Sequence, residues 1–257
     1  MIALLNRLYR LLFCRGGFGI HSPFVFDLIT NVIEERKLYY CYERLNPVRL
    51  QIVQRCDEVI YSNSKVSIRK LLKKNAFTEH EHKFLFRLAN HFQPKSIFTL
   101  GSDFGLTPLY LTAYSTNADC VVVEPEASMA TLAKEYINIY ATASIDLRND
   151  YGEIPDRLDF VVLGFGAYPV KKGAVKTDVV QPSGKNFDIQ TFERFLPFIH
   201  EKSVMVIAGI NASKQARKDW KAVYTHPEVT VTIDLLRLGV VFFNPALHHR
   251  NYKSIVL

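Results

Sequence analysis

The chain changes rhythm near Pro94. Before it, apolar positions recur at helical spacing. Leu5, Leu8, Leu11 and Leu12 share one face, residues 23–36 form a second periodic stretch after the turn at Gly16, Gly17 and Gly19, and residues 47–60 form a third. Thr78, followed three residues on by Glu81, has the spacing of a capping box and predicts a helix running to about His91. Beyond Pro94, short β-branched runs at 96–100, 120–123, 145–148, 160–163 and 203–208 alternate with helical segments. That alternation predicts a mostly parallel sheet with helices on both faces. Two further runs, 229–233 and 240–243, are joined by a connection containing Gly239 that is too short for a helical crossover, so this pair must be antiparallel. The expected organisation is a helical N-terminal segment over 1–95 and an α/β domain over 96–257.

Composition narrows the class. With 257 residues, 48% of them apolar and 22% charged, the chain is long enough for one α/β domain with an appended helical segment, and 12 Gly and 11 Pro exclude collagen-like and disordered chains. Cys14, Cys41, Cys56 and Cys120 form no C-x-x-C pair and no zinc-type cluster, which removes support for a disulfide framework or a structural metal and fits a reducing, cytoplasmic compartment. Residues 1–13 are apolar, but Arg7 and Arg10 interrupt them, as in an amphipathic helix rather than a secretory leader. The longest later apolar run, 203–210, has the length of a strand, so no membrane span is expected. The net charge of +7 raises nucleic acid as a partner. Its clusters, at Lys65, Arg69, Lys70, Lys73, Lys74 and at Lys171, Lys172, Lys176, carry no interleaved aromatics and read as a solvated face.

Candidate chemistry collects at the ends of three successive predicted strands. After the first comes Gly101-Ser102-Asp103-Phe104-Gly105, leading into a helical run from about Thr107. Glycine there lets a ligand approach the backbone, and the helix start behind it offers amide donors. A turn that merely packs well explains the same residues. Glu124 ends the second strand roughly twenty residues on, where an acidic side chain in nucleotide-binding α/β folds accepts hydrogen bonds from ribose hydroxyls; an ordinary loop glutamate is the alternative. Asn149 and Asp150 end the third and could face an adenine edge, or Asp150 could simply form the turn before Gly152. Residues 164–187, rich in Gly, Pro and Lys, read as a long loop leaving a carboxyl end. His80 with His82 and His248 with His249 read as solvated surface, whereas Trp220, Phe192, Phe195 and Phe198 read as core. Neither G-x-S-x-G nor G-x-x-x-x-G-K-[ST] occurs, so serine hydrolase and P-loop chemistry lack their motifs.

The turn Gly101–Gly105, Glu124, the closing stretch 229–243 and the N-terminal run 19–27 (Gly-Ile-His-Ser-Pro-Phe-Val-Phe-Asp) together resemble the class I S-adenosylmethionine-dependent methyltransferases. The likeness is strongest to a group common in Bacteroidetes and related to small-molecule O-methyltransferases. It implies a Rossmann-like, seven-stranded, mostly parallel sheet whose last strand is antiparallel; the helical N-terminal segment could fold over the site as a lid. It also implies S-adenosylmethionine as cofactor, with Gly101 and Gly105 under its methionine part, Glu124 on the ribose and Asp150 near the adenine. Asp103 would meet the ammonium group, or else cap the helix from Leu106.

The chain departs from those enzymes where they carry acidic residues after the fourth and fifth strands, for here Gly164 and Ala208-Gly209 stand instead. A magnesium-type ion requires carboxylate oxygens, so metal-assisted transfer is not expected, and no catalytic base can be assigned. Tyr168, Asn211, Ser213, Lys214 and, under a lid, His21 are the remaining polar residues near that edge; Asn211 and Ser213 are equally natural helix caps. Two readings follow: metal-independent methyl transfer to a small-molecule acceptor, or a degenerate member kept as a binding or scaffold module.

Overall fold

The computed structural model describes residues 2–55, 57–61, 64–74, 76–165 and 187–256. The first stretch runs α1 (Ile2–Phe13), α2 (Pro23–Leu28) with a π-helical continuation (Ile29–Ile33), α3 (Tyr40–Gln54), β1 (Glu58–Tyr61), β2 (Ser64–Ser67), α4 (Ile68–Lys74) and α5 (Glu79–Phe92). Then follow β3 (Ser96–Leu100), α6 (Leu106–Thr112), β4 (Asp119–Val123), α7 (Ala127–Tyr140), β5 (Ser144–Arg148) and β6 (Phe160–Leu163). The remainder is α8 (Ile189–Phe195) with a 3-10 turn (Leu196–Phe198), β7 (Val204–Ala208), α9 (Lys214–Tyr224), β8 (Val231–Asp234), β9 (Leu238–Phe242) and β10 (Arg250–Lys253).

The main sheet has eight strands in the order β10-β8-β9-β7-β6-β3-β4-β5. β9 pairs antiparallel with both β7 and β8, as the short connection required, and the other pairings are parallel. The expected seven strands are joined by an eighth, β10, which lies parallel to β8 at the sheet edge, so the antiparallel strand is not the last one. Its Arg-Asn-Tyr-Lys sequence has no apolar alternation because its side chains are exposed or half-buried. Main-chain pairing and a Thr232 hydroxyl donating to Asn251 Oδ1 at 2.9 Å hold it.

Alternation along the strands feeds two cores. Ile97, Val122, Phe160, Val162, Val206 and Val240 face one side, where α2, its π-helical continuation and α5 supply Val25, Leu28, Ile29, Ile33, Phe84 and Leu88. Phe98, Val121, Val161, Met205 and Ile207 face the other, against Phe192, Phe195 and Trp220. Much of the N-terminal stretch is therefore one layer of the main fold. Trp220 explains Gly239: a Cβ on that residue would lie 2.4 Å from the indole, so only glycine lets α9 seat on β9.

Local chemistry sets several boundaries. The capping box is present, with Glu81 N donating to Thr78 Oγ1 at 3.2 Å and Thr78 N to Glu81 Oε2 at 2.7 Å. The second periodic stretch is helical only to Ile33, where Arg87 donates to the carbonyls of Val32 (2.7 Å) and Ile33 (3.1 Å) and so ties α5 to its end. The third ends at Gln54, and β1 and β2 pair antiparallel in place of more helix, with Val59 opposite Val66. In α1, Leu8 and Leu12 are exposed and Leu11 is half-buried. Arg10, 2% exposed, donates to Asp234 Oδ1 at 2.8 Å, to the Asp234 carbonyl and to the Ser254 carbonyl at 3.1 Å.

Removing one partner of a buried ion pair strands the other charge in a low-dielectric site. Asp234→Ala is therefore expected to cost about 3 to 5 kcal/mol in urea unfolding at neutral pH. A loss below about 1 kcal/mol, the range of an exposed pair, would show that α1 is held by something else.

Candidate functional site

The strand order reverses its direction of growth between β3 and β6: β4 and β5 extend one way, β6 and β7 the other. Open α/β sheets bind ligands outside the carboxyl ends at such a switch point. Two glycines meet there. Gly164 N donates to the Leu100 carbonyl at 2.8 Å, and a Cβ on Gly164 would lie 2.6 Å from that same oxygen. The missing aspartate is thus excluded sterically: any side chain at 164 would strike the end of β3.

The turn after β3 is strained. Asp103 (φ 48°), Phe104 (φ 60°) and Gly105 (φ 91°) are three successive left-handed residues, and Gly101 is a fourth at 89°. Only glycine adopts this region without cost, so Asp103 and Phe104 must be held there. Asp103 Oδ2 accepts from Phe77 N at 2.8 Å and from the Thr107 hydroxyl at 3.3 Å, while the Phe104 ring is buried among residues of α3, α6 and α7. This corrects the expectation that Asp103 caps the helix. Its carboxylate, 4% exposed, joins the turn to the start of α5, and α6 begins at Gly105 with no side-chain cap. The amides expected to be available are also satisfied: Gly105 N and Thr107 N donate to the Ser102 carbonyl and Leu106 N to that of Asp103.

Glu124 is 1% exposed and directed into the turn. Its Oε2 accepts from Ser102 N (3.1 Å) and the Ser102 hydroxyl (2.8 Å), and its Oε1 meets only Glu126 N at 3.4 Å. Burial pushes its pKa up to about 7, against the pull of the Ser102 and Glu126 hydrogen bonds, and the nearby Asp103 charge adds to the rise. Asp150 lies in the exposed turn after β5, close to Gly152 (φ 50°). Gly101, Asp103, Gly105, Glu124 and Asp150 therefore all stand beyond the carboxyl ends of β3, β4 and β5, with only Gly101 and Asp150 open to solvent in part or in full.

Other candidates fall elsewhere. His82 is not on the surface: it is wholly buried, stacked on Tyr110, with Nε2 3.3 Å from Thr107 Oγ1 and 3.5 Å from Asp103 Oδ2. A histidine beside a capping turn gave no hint of this, since it takes the α5–α6 contact to enclose it. Asn211 is no cap; its amide donates to the Leu236 carbonyl at 2.8 Å. Ser213 is the N-cap of α9, accepting from Ala216 N at 2.9 Å, and Lys214 is the exposed first residue of that helix. His21 is exposed beside the start of α2. Asp188 caps α8 through Thr191 N at 2.8 Å. Tyr168, the Lys171–Lys176 cluster and Cys56 lie outside the described residues. Among the described residues, no three His, Cys, Asp or Glu side chains form a metal-sized group, and no helix is long and apolar enough to cross a membrane.

A cavity of about 1100 Å³, with no signal in the sequence, lies between α1, the start of α5, the carboxyl ends of β6–β8 and the chain after β10. Asn6, Arg7, Thr78, Phe165, Gly209 and Asn211 are among its lining. His21 is not; the N-terminal stretch reaches the cavity through α1, α4 and the start of α5.

No family model matches the chain, and no curated protein does. Solved structures do match. An SAH-bound methyltransferase from Podospora anserina is 10% identical, with 81% of this chain and 99% of that one covered and a TM-score of 0.52. An O-methyltransferase from Bacillus cereus in complex with SAH is 14% identical, covering 85% and 96%, at 0.53. A Corynebacterium glutamicum protein is 13% identical, covering 89% and 100%, also at 0.53. At such identities the likeness is one of fold: the chain has the Rossmann-like, mostly parallel α/β architecture of these proteins, two of which are methyltransferases.

A carboxyl group whose folded pKa is raised disfavours folding once it must ionise. With an ordinary value of 4.5 and a folded value of about 7, Glu124 leaves stability untouched below pH 4.5 and lowers it progressively as pH rises to about 7. Glu124→Gln should remove that slope, so the stability difference between variant and parent shifts in the variant's favour by on the order of 3 kcal/mol across this window. Parallel pH–stability curves would show that Glu124 is not the buried acid described.

Proposed function

We propose that this protein is an S-adenosylmethionine-dependent methyltransferase that acts without a metal on a small-molecule acceptor. The single observation that carries the reading is the strained turn at Gly101–Gly105, held at the switch point of a methyltransferase-type sheet. Strain of about 1 to 3 kcal/mol per residue persists where surrounding contacts enforce it, and such outliers cluster at ligand sites. The donor set suits the cofactor. Gly101 is the partly exposed point of the turn, where a Cβ would sit 3.4 Å from the Phe165 carbonyl, and a carboxylate stands behind it at the end of β4.

Bound there, S-adenosylmethionine would supply a methyl group on an electrophilic sulfonium. The chain's own tasks are positional. Glu124 keeps Oε2 on Ser102 and offers Oε1, which has only the long Glu126 contact, to the ribose hydroxyls. Gly101 admits the methionine part close to the backbone, and Asp150 lies on the adenine side. The lid role expected of the segment over 1–95 falls to α1 alone, which covers the acceptor side, because α2 and α5 are packed into the core. With no base assigned, transfer depends on proximity and alignment with an acceptor that is already nucleophilic.

The alternative, a degenerate binding or scaffold module, is favoured by the sealing of Glu124 and by Gly164, Ala208 and Gly209 at the ends of β6 and β7. Calorimetry with S-adenosylmethionine separates the two when combined with a turnover assay, since a scaffold member transfers nothing. The proposal expects Glu124→Ala to weaken cofactor binding by about 1.5 to 3 kcal/mol, roughly ten- to a hundredfold in Kd. Unchanged affinity in that variant would place the cofactor elsewhere.

Binding and transfer should also be indifferent to a chelator, because Gly164 cannot carry a carboxylate and Asp188 is committed to capping α8. Activity lost to a chelator and restored by magnesium would contradict this.

A further inference from the structure

The charge on the walls of the cavity says what it accepts. Arg7 on α1, Lys73 on α4, Arg217 on α9 and Arg237 in the β8–β9 turn all line it. The acidic side chain in its lining is Glu81, whose Oε2 is used by Thr78 N in the capping box and whose Oε1 lies 3.4 Å from Arg237 Nε. Arg237 is fixed in place: it lies over the Phe165 ring at 4.7 Å and donates to the Ala76 carbonyl at 2.9 Å. Arg217 makes only a long contact, 3.4 Å, to the Asn211 carbonyl. Among the described residues, no carboxylate pairs with Arg7, Lys73 or Arg217.

Four cations drawn from four separate elements, one of them preorganised and three without a counter-charge, repel one another across a shared space that an anion would fill. The same cavity has an apolar wall of Phe165, Leu235 and Ile255. It opens on the carboxyl ends of β6 and β7, beside the Gly101–Gly164 contact.

We propose that this cavity binds a small molecule with an apolar or aromatic body and an anionic group, a carboxylate or a phosphate, held by Arg7, Lys73, Arg217 and Arg237. That the molecule is the methyl acceptor rests on the methyltransferase reading; that the cavity takes an anion does not. Nucleic acid presents phosphates too, but these cations share their cavity with an apolar wall of Phe165, Leu235 and Ile255, which suits a small amphipathic molecule better than a sugar-phosphate backbone.

The test is direct binding to the full-length protein, by calorimetry and thermal shift, with phenyl phosphate, benzoate and neutral benzamide as matched probes. The two anions should bind and raise Tm, benzamide should not, and the stronger anion reports whether phosphate or carboxylate is the natural group. Arg7→Ala, Lys73→Ala and Arg217→Ala, each at an exposed position, should lower anion affinity by about tenfold apiece and leave cofactor affinity unchanged, whereas Arg7→Lys should retain most of it. Added salt should weaken binding in the same order. Equal behaviour of the anions and benzamide, indifference to all three substitutions, or a single-stranded oligonucleotide that binds tightly and displaces phenyl phosphate would overturn the proposal. Cofactor titration in parallel separates the two readings: anions without S-adenosylmethionine binding sinks the methyltransferase reading alone, and the reverse sinks this one alone.

Discussion

The buried pair between Arg10 and Asp234 is the contact on which the carboxyl edge depends. Asp234 ends β8, and its carboxylate also accepts from Leu236 N at 2.8 Å and approaches the Asn211 amide at 3.5 Å, so one side chain orders the β8–β9 turn and the chain after β7. Arg10 brings α1 to the same point and reaches the Ser254 carbonyl after β10. A charge pair taken out of water is costly unless its remaining donors and acceptors are met, and here they are met by backbone from three segments. Three walls of the cavity share this anchor. Leu8 and Leu12 face solvent, whereas Arg10 fixes α1 to the end of β8 and to the chain after β10.

On the other side of the switch point, the architecture is one of closure. Asp103 and Glu124 occupy the ends of β3 and β4, and each is spent on holding the turn, Asp103 through Phe77 N and Glu124 through Ser102. The result is a rigid cradle whose one flexible element is acceptor capacity on Glu124 Oε1. Rigidity of this kind lowers the ordering cost of a ligand that fits it. It also costs stability, since an acid with a pKa of about 7 sits in a dry site. The basic cavity carries the opposite imbalance, a surplus of positive charge, and both imbalances lie along one sheet edge.

How much of this was legible in the sequence follows from where the information resides. Strand β6 was readable residue for residue because a strand buried on both faces is an uninterrupted apolar run, and β3, interrupted only by Thr99, was bounded by Pro94 and Gly101. The β8–β9 hairpin followed from loop length, and the α5 start from Thr78 and Glu81. β10 was invisible because a polar edge strand has no alternation to detect, and the β1–β2 hairpin because Val59 and Ile60 continue a helical period equally well. Gly101, Gly105 and Glu124 could be placed at strand ends by spacing. That Asp103 faces Phe77, that His82 is enclosed, and that Arg7, Lys73, Arg217 and Arg237 converge are facts of tertiary contact between residues far apart in the chain, and no local pattern encodes them. Gly164 was legible as an absence; the steric reason for it needed the Leu100 carbonyl.

The most direct test of a cofactor seated on the β3–β4 side of the edge is amide hydrogen exchange of the full-length protein with and without S-adenosylmethionine. The account predicts slowed exchange confined to residues 101–106 and 124–126, with α9 and β10 unaffected. No protection anywhere, or protection centred on other elements while 101–106 exchange as before, would contradict it.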